Sequence, residues 1–332
     1  MDIPFQQTRE WQKLQNELGE KSFFEESTDY TYLAINKQTK FGNYLYLPYG
    51  PYAKTKSGFD KAMEALLSLA RREGAIFIRI EPQSPKIASQ WLKRKNAKKT
   101  KDLNPRETWV LDLDQPDEQI ISNFTQGTRT CFNQFPKKGI TITTSKNTSD
   151  IHYLIDLQQR LAKKKNIGIY SEDYYVKELS QDFATLYLAH FDSKKMEVLP
   201  DWVTELEKSQ PSKKANKVIA SSLFFDYGDT RYYMQSASDN DYRRLPATVA
   251  ILTTAIFDAK KIGLKHLDFW GIAPDDAPTF HPWAGFTKFK KSFGGHEVQY
   301  CGTYDVILHR NKYRLYNLAR KANRTIRKLK RR

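Results

Sequence analysis

Two segments of this chain follow one plan, and a repeat of this kind limits the fold more than composition does. The first runs from Tyr44 through PYGP to the strand FIRIEP; the second runs from Arg231 through Pro246 to HLDFWGI. In each, an aromatic strand leads through a proline-containing loop into an apolar helix. Each helix closes with two basic residues, one further residue and a glycine (Gly74 or Gly263), and a strand follows. Phe59, Met63, Leu66, Leu67 and Ala70 recur at helical spacing in the first copy, as do Val249, Leu252, Ile256 and Ala259 in the second. Glycine after the last turn suits a helix stop, because it adopts left-handed φ without a Cβ clash. The pattern predicts a duplicated α/β unit, with one cleft per copy or one cleft shared by both.

The remaining elements fit two domains, the number that 332 residues suggest. The spacing predicts a short helix over Phe5–Leu18 and strands at Tyr30–Ile35, Ala75–Glu81, Thr108–Leu113 and Ile140–Thr144. Residues 93–106 and the segment GFTKFKKSFGG are expected to be basic loops. A helix spans Ile151–Lys165, and Ser171 caps the next one. The first domain is set at 1–147 and the second at 148–305, with a polar surface insertion at 192–217. Residues 306–332 form a basic amphipathic helix, with packing on the first domain as one option.

At 39% hydrophobic the chain can bury real cores. No run reaches the roughly 18 apolar residues of a membrane span. The N-terminus has no basic-then-apolar secretory pattern. Cys131 and Cys301 form no CxxC and no disulfide framework. A reducing, cytoplasmic setting is expected. The net charge is +16, yet residues 310–332 alone hold eleven Lys or Arg and no acid, which leaves +5 for residues 1–309. Such a tail meets phosphate, on nucleic acid or on anionic lipid at the inner face of a membrane.

Familiar catalytic signatures are missing: no GxSxG elbow, no HExxH and no GxxxxGK loop. The six histidines have no metal-ligand spacing, so no metal is expected. The helix–glycine–strand units resemble halves of an N-acyltransferase fold. The turn that receives a coenzyme A pyrophosphate is absent, since RREGAI has Ile76 and KKIGLK has Lys265 where a small residue belongs. No cofactor is expected. In GFTKFKKSFGG, Lys288, Lys290 and Lys291 interleave with Phe286, Phe289 and Phe293. Cations beside rings suit a single-stranded nucleic-acid end; a solvated lysine face over core phenylalanines fits the spacing equally well. Tyr232 and Tyr233 lie in YYMQSAS, a strand ending in small polar residues.

The opening FQQTREWQKL, PYGP, FIRIEP, TWVLDLDQPDEQI with TRTCFNQFPKKGI, YYMQSAS, HLDFWGI, and FKKSFGG with CGTYD follow one another along nearly the whole chain. In order and spacing they resemble the FemABX family, aminoacyl-tRNA-dependent peptidyltransferases that add bridge amino acids to peptidoglycan precursors. The resemblance implies an α/β protein of two tandem GNAT-like (acyl-CoA N-acyltransferase-like) domains. It implies aminoacyl-tRNA as donor and a lipid-linked or nucleotide-linked peptidoglycan precursor as acceptor. Phe289 and Lys290 match the family's catalytic Phe-Lys pair near the tRNA 3′ end, with Lys288 and Lys291 as flanking tRNA contacts. Tyr233, and after it Tyr232, match a tyrosine that holds the precursor. A family pattern of Arg followed four residues later by Tyr falls on Tyr170 and Tyr174, so the arginine is absent; Tyr49 likewise stands where many relatives carry arginine. Two other functions fit the basic tail: tRNA-dependent aminoacylation of another amine or a lipid headgroup, and a non-catalytic RNA- or membrane-binding protein.

Overall fold

The computed structural model describes residues 3–165, 168–209, 216–274, 277, 278 and 280–329. In chain order these form α1 (Arg9–Glu17), β1 (Lys21–Glu26), β2 (Tyr30–Thr39), β3 (Gly42–Leu47), β4 (Tyr52–Ala53), α2 (Lys56–Arg72), β5 (Phe77–Ile80), α3 (Pro85–Arg94) and β6 (Lys98–Lys99). Then follow β7 (Glu107–Asp112), α4 (Asp117–Asn123), α5 (Gln126–Gln134), β8 (Lys138–Ser145), α6 (Ile151–Lys165), α7 (Glu172–Leu179), β9 (Ala184–Met196) and α8 (Asp201–Ser209). The last are β10 (Lys217–Tyr227), β11 (Thr230–Ser238), α9 (Ala247–Lys261), β12 (His266–Gly271), α10 (Ala284–Lys291), β13 (His296–Gln299), β14 (Tyr304–Ile307) and α11 (Arg310–Leu329).

The chain divides into a first unit of Met1–Arg106 with Gln299–Arg332, and a second unit of Glu107–Val298. The sequence pattern puts the division at 147/148; the contacts put it at 106/107 and again at 298/299. Strand pairing is the reason. β7 lies antiparallel to β12, from His266↔Asp112 to Gly271↔Thr108, so the stretch 107–147 belongs to the second sheet. β14 lies antiparallel to β5, which returns the C-terminal segment to the first sheet.

The first sheet has the order β1-β2-β3-β5-β14-β6, with β4 paired to β2. β3 and β5 are its parallel pair, in register at Leu45↔Ile78, Tyr46↔Arg79 and Leu47↔Ile80, joined through α2. The second sheet runs β13-β7-β12-β11-β10-β9-β8. Its parallel pair is β11 and β12, in register only at Thr230↔His266, Arg231↔Leu267 and Tyr232↔Asp268, joined through α9. The two copies of the repeat therefore form the same strand–helix–strand crossover, one in each unit. Gly74 and Gly263 both take left-handed φ, of 66° and 87°, at the ends of α2 and α9. α9 buries residues nearly all round, from Ala247 and Ala250 to Ile256 and Ala259, as its unbroken apolar character requires.

Three local expectations change. GFTKFKKSFGG is not a loop: Phe286, Phe289 and Phe293 recur at i, i+3 and i+7, and the helix α10 occupies Ala284–Lys291. The glycines after it are needed as glycines. A Cβ on Gly295 would stand 2.3 Å from the Val110 carbonyl oxygen, and one on Gly294 2.8 Å from Asn123 Cβ. The basic stretch 93–106 contributes the end of α3 and the short strand β6. The insertion at 192–217 is largely ordered: β9 continues through it to Met196, paired with Lys138 of β8, and α8 sinks Val203 into the core. Residues 210–215 of that segment lie outside the described residues.

The tail is helical, as expected, and the residues it turns inward are tyrosines. Tyr313 and Tyr316 pack on Phe77, at 5.2 and 5.1 Å between ring centres, while Leu315 is exposed. Beneath them Arg79 Nε and Nη2 donate to the two carboxylate oxygens of Asp305 at 2.7 and 2.8 Å, and the Tyr313 hydroxyl donates to the same carboxylate at 2.9 Å. Both charged residues are essentially fully buried. Arg79→Leu should therefore destabilise the protein by about 3–5 kcal/mol, because it leaves a buried carboxylate without its cation. Urea unfolding of the two proteins checks this; a loss no larger than that of an ordinary surface substitution would show the pair to be dispensable.

Candidate functional site

The second sheet opens where its parallel pair ends. Beyond Tyr232 and Asp268 no further β11–β12 register is formed; β11 continues along β10, while β12 bulges away along β7. The bulge includes Trp270, whose φ of 66° is left-handed, and its backbone N–H donates to Asp268 Oδ1 at 2.6 Å. Side chains of residues in register point to the same face of a sheet. Tyr232 and Asp268 therefore share one face, and Leu267 and Phe269 point into the core on the other.

Lys290 comes to this opening from α10. Its Nζ donates to the Gly271 carbonyl oxygen, at the end of β12, at 2.6 Å. Burial pulls the Lys290 ammonium down to about 8, an effect partly offset by the Asp268 carboxylate. Burial likewise pushes Asp268 up to about 6, against the opposing pull of the Trp270 N–H, Lys290 and Thr108. A low-dielectric setting has drawn the two groups toward each other in proton affinity.

The other residues of α10 divide by face. Lys288 and Lys291, three apart, both line a cleft of about 660 Å³ with Thr125, Ala273, Pro274 and His281. Lys291 Nζ also stands 4.8 Å from the centre of the Trp109 ring. Phe289 turns inward, with its ring 5.3 Å from that of Phe293, and half-buries itself against the core. The structure thus puts Lys290 on the splayed strands, Lys288 and Lys291 on the adjoining cleft, and Phe289 beneath them.

The tyrosines divide too. Tyr232 stands on the open face, its ring 6.2 Å from Trp270. Tyr233 stands on the opposite face, packed at 5.3 Å on Phe224 and hydrogen-bonded with Ser236 and Ser222; burial raises its pKa. A bulge at Met234 then returns Gln235 to the open face, where it meets Gln158 of α6 and Glu178 of α7. Tyr170 and Tyr174 stack there at 4.2 Å, and Tyr174 hydrogen-bonds with Glu178.

Sequence reasoning missed Asp268 and Glu178. Asp268 has a signal in retrospect, an acid between two apolar residues of a buried strand. Glu178 is four residues after Tyr174, one helical turn along the same face. Burial pushes its carboxyl up to about 8, with hydrogen bonds from Tyr174 and Gln235 pulling the other way.

The FemAB family model matches residues 189–321. A lipid II:glycine glycyltransferase of Staphylococcus epidermidis is 23% identical over 77% of this chain and 75% of its own. The crystal structure of FemX superposes with a TM-score of 0.78 at 17% identity, covering 94% of each chain. That of L-PGS from Bacillus licheniformis gives 0.58 at 10% identity, over 98% of this chain and 99% of the other. Fold and comparisons together give an α/β protein of two units with the fold of FemX. The chain is thus similar to FemABX proteins along most of its length.

Glu178 gives a test with a definite sign. Its folded pKa lies above the unfolded value of 4.5, so between pH 4.5 and about 8 the unfolded state binds fewer protons. Wild-type stability should fall relative to Glu178→Gln across that window, by at most about 1.4 kcal/mol per pH unit. Urea unfolding at pH 5 and pH 8 measures this; parallel stabilities would mean that Glu178 is ionised in the fold.

Proposed function

We propose that this protein transfers an aminoacyl group from aminoacyl-tRNA to an amine on the stem peptide of a peptidoglycan precursor, as a step of interpeptide bridge formation. The observation that carries the proposal is Lys290, which matches the family's Phe-Lys pair and stands half-buried over the opening between β11 and β12. The activity for which the staphylococcal relatives are named, glycyl transfer to lipid II, supports a lipid-linked acceptor.

The reaction is an aminolysis. The amine nitrogen attacks the ester carbonyl carbon, a C–N bond forms, and the bond to the tRNA ribose oxygen breaks. The amine loses a proton and the departing ribose oxygen gains one. The ester is already activated, so no covalent enzyme intermediate is required, and positioning supplies much of the rate. Protonated Lys290 stabilises the oxyanion as it forms, in a setting where a buried cation counts for more than in water. Lys288 and Lys291, on the adjoining cleft, take the phosphates of the tRNA end, and the exposed Phe286 ring offers a base a stacking surface. Tyr232, on the open face, contacts the acceptor; Tyr233 acts from the far face by holding β11 in place. Tyr170 and Tyr174 form the outer edge of the acceptor side.

Among the described residues no helix is long and apolar enough to cross a membrane. Access to a lipid-linked precursor then falls to α11, which exposes Leu315 and Leu318 beside Arg314 and Lys321. Apolar residues among cations suit shallow seating in an anionic leaflet.

Lys290→Met should lower transfer roughly 10²-fold or more while leaving the fold intact. Because the protonated amine is the active form, wild-type transfer should decline as pH rises through about 8, and Lys290→Arg should carry that limb to higher pH. Turnover assays with charged tRNA and lipid-linked precursor check both, and near wild-type turnover in Lys290→Met sinks the role.

The α11 surface needs point changes, since removing the helix would take Tyr313 out of the first core. Arg314→Gln with Lys321→Gln should weaken binding to phosphatidylglycerol vesicles by about 1 kcal/mol per charge, and Leu315→Ser with Leu318→Ser should weaken it further. Sedimentation with vesicles and filter binding with tRNA separate the two partners; lost tRNA binding with unchanged vesicle binding moves α11 to the donor side.

A further inference from the structure

Glu178 is buried to 1% exposure on α7, and its side-chain hydrogen-bond partners, Tyr174 and Gln235, are uncharged. Its carboxyl meets the Tyr174 hydroxyl and, at a long 3.5 Å, the Gln235 amide nitrogen. The Gln235 oxygen accepts from Gln158 at 3.3 Å, and the Gln158 oxygen is taken by the Tyr175 hydroxyl. Tyr170 reaches over from the loop before α7. Among the described residues no Lys, Arg or His forms an ion pair with Glu178. Arg160, the arginine of α6, is directed to Asp239 at 3.1 Å instead.

Burying an acid with no counter-cation is expensive, and a glutamine or leucine would fill the place at lower cost. The surroundings explain why an acid stands there. Above the carboxyl, the Tyr170 and Tyr174 rings stack at 4.2 Å, and Tyr170 is 56% exposed. Aromatic faces at the surface and a carboxyl behind them are the parts of an ammonium receptor: the rings attract the cation and the acid neutralises it. The cluster sits on the face of β11 that carries Tyr232, three residues from Gln235, so it adjoins the opening reached by Lys290.

We propose that Glu178, Gln235, Tyr170 and Tyr174 form a subsite for a primary ammonium group of the acceptor. The assignment rests on the aminoacyl-transfer function proposed above for the identity of the acceptor, but the subsite itself can be tested without turnover. When the ammonium enters, the carboxyl gives up its proton to solvent and an ion pair forms between –NH3⁺ and –COO⁻. An uncharged or acylated amine lacks the charge to drive that step. Since burial holds the empty carboxyl at about 8, a bound cation must lower its titration midpoint.

The test is carbon-13 NMR of the full chain labelled at glutamate carboxyls. The Glu178 resonance is the one missing from Glu178→Gln, or displaced in Glu178→Asp if the first variant does not fold. Its titration is followed alone, with n-pentylammonium, with a lysine-containing stem pentapeptide, and with the same peptide acetylated on the lysine side chain. The expected result is a midpoint lowered by at least one pH unit with the first two and unmoved with the third, together with at least tenfold weaker binding of the free peptide to Glu178→Gln. An unmoved midpoint with both cations, or equal effects of free and acetylated peptide, overturns the subsite. A transfer assay run beside it is read independently: transfer without a midpoint shift removes the subsite and leaves the enzyme, whereas a midpoint shift without transfer leaves the subsite and removes the enzymatic proposal.

Discussion

The guanidinium of Arg79 and the carboxylate of Asp305 meet across 226 residues of sequence. A bidentate pair of this kind fixes orientation as well as distance. It seats β14 beside β5, and Tyr313 adds a third bond that brings α11 onto Phe77. The organisation of the chain follows from that return. The first unit is made of two distant segments, and the whole second unit lies between them in sequence. Were β14 to pair elsewhere, Arg79 would be a buried cation without a partner, which the interior does not tolerate.

The second unit repeats the device in local form. Arg231 of β11 donates to both oxygens of Asp226, at 2.7 Å each, and to the Tyr187 hydroxyl and the Ala255 carbonyl at 2.8 and 2.9 Å. Here the arginine ties β11 to α9 on the closed face of the sheet, directly behind the place where β11 and β12 part. A parallel pair that opens after three residues leaves Gly271 paired with β7 but not with β11. Lys290 donates to the Gly271 carbonyl, and in doing so brings a cation to the opening. The chemistry proposed for this protein thus grows from a defect in strand pairing that the rest of the sheet holds rigid.

Around that opening the charges are few and buried. Lys290 and Asp268 shift toward each other in proton affinity, and Glu178 keeps its proton to about pH 8. All three lie on secondary-structure elements and are held by hydrogen bonds, Lys290 to the Gly271 carbonyl, Asp268 from the Trp270 N–H and Glu178 from Tyr174 and Gln235. The surface lysines of α10 line the cleft. The division fits a site in which surface charge attracts an anionic donor and buried groups act on the reacting atoms.

The sequence by itself determined the duplicated strand–helix–strand plan, because helical periodicity and the closing glycines at 74 and 263 are local signals that each segment carries alone. It also determined the amphipathic tail helix and the place of Lys290 within a motif. It misread GFTKFKKSFGG as a loop, since three phenylalanines at helical spacing are masked by the lysines between them. Only the tertiary structure decided which strands pair, and with that the unit boundaries, since β7 and β14 look alike as isolated strands and differ only in the partner that satisfies them. The same holds for the acids of the site. Asp268 and Glu178 are ordinary carboxylates in a sequence, and what sets them apart is loss of water, which depends on neighbours brought from other elements of the fold.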